Sequence, residues 1–197
     1  MTAAEKWTVW SNAAYIIGGL LLPQLVASPI GWAGGFAMVG LGVGSYLYHS
    51  GKIEWGQHAD VLMMYVVGAL LLGAAFGLSD GYSAIALLIA GGLGGVYLRW
   101  HVSNRMEVKI GVLYLAVLVA ASVRSIYLAA DWRLIGIGSA VLLLALVSRF
   151  LWKTWAIVDC HPTTSKKWGK VPHPWSHGLW HVLAAAGLVL WFVGLAG

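Results

Sequence analysis

Five polar residues stand at spacings that could do chemistry in a chain that otherwise avoids polarity: Ser45-x3-His49, Asp60 eleven residues further on, and His177-x3-His181. Positions four apart share one face of a helix, with Cβ atoms roughly 5–6 Å apart. Two imidazoles at that spacing can bind one metal ion. A third imidazole from another helix completes a three-histidine catalytic zinc site that keeps one position open for water. Ionisable groups inside membrane helices are costly, so they mark function by default. The pattern reads as a membrane metalloenzyme.

Each residue also has a plainer reading. His177 and His181 could snorkel toward the interface beside Trp175 and Trp180, and His49 could serve as polar capping at a helix end. Asp60 could simply favour a helix N-terminus, and the Ser45 hydroxyl could bond its own helix backbone. What sets these residues apart is which elements carry them and on which side those elements end.

The 197 residues are 60% hydrophobic and 10% charged, which leaves too few charges to hydrate the surface of a soluble domain. The chain reads as a single integral membrane domain, residues 1–197, all α. Twelve Trp and eight Tyr fit aromatic belts at the water interfaces, and 26 Gly fit closely packed helices. A lone cysteine, Cys160, excludes an intrachain disulfide and a Cys₂His₂ finger. The net charge of +5 is spread over loops between apolar stretches, so it is a topological signal and no nucleic-acid partner is expected.

A membrane span needs about 20 apolar residues. Seven stretches qualify: 7–27, 31–50, 58–78, 82–100, 108–129, 132–153 and 175–196. Lys6 before an apolar run imitates a signal peptide, but Trp7, Trp10, Ser11 and Asn12 are poor material for one, so the first stretch is kept as a span. Pro23 and Pro29 are expected to mark the first turn, Ser79-Asp80-Gly81 the third and Ala130-Asp131 the fifth. Pro174 suits the first turn of the last helix.

With seven spans, Lys6, Lys52, Arg99, Arg105, Lys109, Arg149, Lys153, Lys166, Lys167 and Lys170 fall on one side, against Arg124 and Arg133 on the other. That bias predicts a cytoplasmic N-terminus and an external C-terminus. Lys166, Lys167, Trp168 and Lys170 could rest on anionic headgroups or act as topogenic charge alone. His49 closes the second span, Asp60 opens the third, and His177 and His181 open the seventh, so all face the same, cytoplasmic, side. His58 is expected on a different helical face from Asp60, at the interface.

Ser-x3-His on the second span, Asp eleven residues past that His and His-x3-His opening the seventh resemble the CREST superfamily of seven-helix membrane hydrolases, which includes alkaline ceramidases and the progestin and adipoQ receptors. The string His177-Gly178-Leu179-Trp180-His181 looks most like the ceramidase branch, and Trp10-Ser11-Asn12 weakly resembles it too. The resemblance implies Zn²⁺ bound by His49, His177 and His181 between the second, third and seventh helices. It also implies catalytic roles for Asp60 and Ser45 and a membrane lipid as substrate. Eukaryotic alkaline ceramidases carry an acidic calcium-binding cluster near the N-terminus. Here only Glu5 is acidic before the first span, so no calcium site is expected.

The expected activity is hydrolysis of a lipid amide, ceramide-like or another N-acyl lipid, to a fatty acid and an amine. Three alternatives stay open: a non-catalytic seven-helix lipid receptor of the same superfamily, a haem carrier with His49 and one of the two later histidines as axial ligands, and a transporter. The transporter lacks an evident polar pathway through the other half of the chain.

Overall fold

A computed structural model describes residues 3–50, 55–101, 106–127, 130–155 and 175–196. Among these there are eight α-helices and no strand: α1 (Ala3–Ser11), α2 (Ala13–Leu25), α3 (Pro29–His49), α4 (Gly56–Ala75), α5 (Gly81–His101), α6 (Met106–Tyr127), α7 (Trp132–Trp155) and α8 (Trp175–Ala196). Pro174 and the basic residues of the loop before α8 lie outside the described residues.

Three described segments, Pro29–His49, Gly56–Ala75 and His177–Ala196, are long and apolar enough to cross a membrane. At 1.5 Å per residue, 20 residues reach about 30 Å, the thickness of the hydrocarbon layer. The outward faces are apolar as well. Leu20, Phe36, Ile89, Leu93, Leu115 and Leu143 are all well exposed, although exposed rows of this kind would be filled by polar residues in water. The protein is built for a membrane.

The helix ends follow from local chemistry. Ser28 caps α3 by accepting from the Gly31 N–H, and Pro29 fills the first helical position, where a missing N–H costs nothing. Asp131 caps α7 by accepting from the Arg133 and Leu134 N–H groups. Asp80 accepts from the Ser83 hydroxyl at 2.5 Å and its N–H at 3.0 Å, and these bonds hold its carboxyl below the usual range. That cap is complete above the ordinary carboxylate range and is lost as pH falls through the depressed value. At the end of α4, Gly77 takes φ +79°, and the bonds Leu78 N–H to Gly73 O and Gly77 N–H to Ala74 O complete a Schellman motif.

Two features of the first span differ from expectation. Pro23 does not mark a turn; it lies inside α2, close to its end. A proline there removes only one hydrogen bond, the one to the Gly19 carbonyl, which instead lies against Gly35 of α3. The helical ladder also breaks at Asn12, dividing the span into α1 and α2. At the break the Thr8 carbonyl accepts from the Ser11 hydroxyl and the Asn12 amide, and the Val9 carbonyl from the Asn12 amide. Polar side chains in an apolar span thus bond to the backbone carbonyls one turn before the break.

The core is one cluster, with Leu22, Ile30, Met38, Leu70, Leu71 and Phe192 fully buried. Within it α4 packs against α3, α5, α6 and α8, while α8 packs against α7, α2, α1 and α4. α1 and α3 also pack against each other and α3 against α8, which groups α1, α3, α4 and α8.

Candidate metal centre

His49 is the last residue of α3, and His177 and His181 are the third and seventh residues of α8. One helical turn separates the α8 pair, whose ring centroids are 4.7 Å apart with planes at 90°. The His49 ring lies 4.7 Å from that of His177 and 5.1 Å from that of His181. One nitrogen from each of the three rings falls within 4.8 Å of the others. His177 and His181 are buried, at 4% and 3% exposure, and His49 is half-buried. The three histidines lie close enough to bind one metal ion.

One of the three nitrogen pairs already stands at the spacing such an ion sets. Tetrahedral coordination with metal–nitrogen bonds of about 2.0–2.1 Å sets ligand nitrogens about 3.3–3.4 Å apart. The Nε2 atoms of His49 and His177 are 3.3 Å apart.

Ser45 sits one turn before His49 on α3 and is 3% exposed; Asp60, the fifth residue of α4, is 6% exposed. What lets them share one region is the approach of the two backbones. A Cβ on Gly44 would stand 2.8 Å from the Asp60 nitrogen and 3.0 Å from the Ala59 carbonyl carbon. Near the other end of the α3–α4 connection, a Cβ on Gly56 would stand 2.6 Å from the Tyr48 nitrogen. Two glycines thus bring the first turns of α4 onto the last turns of α3, the small-residue packing used where backbones must touch. His58 is half-buried and does not join the three-histidine group.

Gly44→Ala should therefore cost about 1–3 kcal/mol, because its clash is with backbone that cannot rotate away. The check is the unfolding temperature of the detergent-purified variant. Gly40→Ala, which meets only the flexible Met63 side chain, should lose less, and Gly92→Ala, which meets nothing within 4 Å, should lose nothing. Equal melting of all three would disprove the close approach.

One residue that sequence reasoning did not assign to the site is Ser11. It is 4% exposed, and its Oγ lies 2.9 Å from His181 Nδ1. Trp7, one turn earlier on α1, packs its indole against Gly178, where any side chain would collide. Tyr15 of α2 adds a tilted ring contact to His181 at 6.0 Å. The only hint in the sequence was Trp10-Ser11-Asn12, polar residues where a span should be apolar.

A scan of known protein families and a search of curated proteins both found no match to this chain.

Proposed function

We propose that the protein is an intramembrane, zinc-dependent hydrolase that cleaves the amide bond of an N-acyl lipid, ceramide-like in build, to a fatty acid and an amine. The observation that carries this reading is the three-imidazole group within 4.8 Å, set at the ends of apolar helices with Ser45 and Asp60 buried on the neighbouring turns. Three imidazoles suit zinc and disfavour calcium or magnesium. The three ligands found among the described residues leave a coordination position open, as catalytic sites do, whereas structural zinc takes four. The resemblance to the CREST hydrolases points the same way. In this reading α1 and α2 together form the first of seven spans, and α3 to α8 form the rest. The charge bias sets the N-terminus and the metal centre on the cytoplasmic side and the C-terminus outside.

A zinc ion held by neutral imidazoles supplies Lewis acidity and acidifies water toward a pKa of about 7. The protein's own groups do the rest. Asp60 takes the proton of the attacking water onto a carboxylate oxygen and later passes it to the leaving nitrogen, which departs poorly without it. Ser45 donates its hydroxyl hydrogen to the acyl oxygen as negative charge builds there. One water is consumed, the C–N bond breaks, and acid and amine are released. The exposed apolar helix faces let acyl chains approach from within the bilayer.

The test is elemental analysis of detergent-purified protein, followed by hydrolysis assays on ceramides and other N-acyl lipids. About one zinc per chain together with fatty acid release is the expected result. Absence of any transition metal from carefully prepared protein would overturn the hydrolase and bring the receptor reading forward.

A further inference from the structure

We propose that Ser11 is a positioning residue that fixes the tautomer and ring orientation of His181, so that Nε2 is the nitrogen offered to the metal. The inference rests on the metal-site reading above and adds to it the hydrogen-bond network that reaches in from α1.

The assignment follows from counting protons. The Ser11 Oγ meets the Thr8 carbonyl at 2.8 Å and His181 Nδ1 at 2.9 Å. A hydroxyl has one hydrogen to give and two lone pairs to receive with. The Thr8 carbonyl can only accept, so it takes the Ser11 hydrogen. The His181 contact is then a hydrogen bond only if Nδ1–H donates to Oγ. A neutral imidazole with its proton on Nδ1 has its free lone pair on Nε2, the form a metal requires.

The network has a further support. Asn12, fully buried, donates its amide to the Thr8 and Val9 carbonyls and so fixes the turn that presents Ser11. The Thr8 carbonyl, one turn before the helix break at Asn12, is the acceptor that orients the Ser11 hydroxyl. Trp7 packed against Gly178 holds α1 against α8 at the same level. Ser11 lies 170 residues from His181 in the chain, yet it supplies the partner that metal-binding histidines generally find for their second nitrogen.

The experiment compares wild type, Ser11→Ala and Ser11→Thr, the last of which retains the hydroxyl. Two readouts are used: imidazole ¹⁵N spectra of metal-free protein at a pH where the rings are neutral, and release of bound zinc or cobalt to a competing chelator. The expected result for wild type is a His181 proton on Nδ1. Ser11→Ala should shift His181 toward the Nε2–H form, weaken metal binding about 10–100-fold, and alter the visible spectrum of the cobalt form. Ser11→Thr should restore both readouts. A wild-type His181 proton on Nε2 would overturn the assignment, as would a Ser11→Ala protein with wild-type tautomer and metal release. Wild-type protein that binds no metal while its His181 carries Nδ1–H would overturn the hydrolase reading and leave the hydrogen-bond assignment standing.

Discussion

His181→Ala is expected to strip the metal and lower lipid hydrolysis by at least about 10³-fold. A Lewis acid contributes several kcal/mol to such a reaction, and about 1.4 kcal/mol corresponds to each tenfold in rate. His181 is the ligand whose loss should be felt most widely. It is buried at 3% exposure, its ring lies near both of the other imidazoles, and it bonds to Ser11 of α1. Removing it leaves two ligands, too few to hold the ion against a chelator. Wild type stripped of metal should show the same loss and recover when zinc is restored, whereas His181→Ala should not recover. His58→Ala, outside the cluster, should keep both metal and rate. Undiminished turnover in His181→Ala would end the proposal of a metal-dependent hydrolase.

Asp60→Asn should separate proton transfer from metal binding. The substitution keeps shape and volume but cannot hold a transferred proton, so about one metal per chain should remain while kcat falls by about 10²–10⁴-fold. A variant that hydrolyses lipid at the wild-type rate would remove Asp60 from the reaction. One that loses its metal would make Asp60 a ligand instead. Together the two substitutions make a pattern: one loses metal and rate, the other rate alone.

Much of the helical layout was legible in local pattern. Asp80 and Asp131 announce helix starts because a short side chain that accepts backbone N–H groups is useful only there. Pro23 misled, because a proline inside a helix forfeits only its own N–H bond, and packing against a neighbouring helix, here the Gly19 carbonyl lying against Gly35, lets the helix continue past it. The break at Asn12 was hidden because hydropathy does not register hydrogen bonds between a side chain and its own backbone. The importance of Gly44 was equally hidden. Gly92 and Gly94 meet nothing within 4 Å, Gly44 meets the backbone of α4, and nothing in a list of 26 glycines distinguishes them.

Apolar length and charge sparsity were enough to make the chain helical and membrane-bound, because the cost of unsatisfied backbone in lipid admits few other solutions. The i, i+4 spacing of His177 and His181, with His49 at the opposite end of an earlier helix, was enough to nominate a metal site. These are local or one-dimensional quantities, readable residue by residue. Only the packed structure decided that the His49 and His177 nitrogens come to 3.3 Å and that Ser11 completes His181 from 170 residues away. Only it showed, too, that two glycines let α4 press against α3. Those outcomes depend on how side chains from distant segments fill shared space, and a distance between helices is set by the smallest residues at their contact, wherever in the chain they happen to lie.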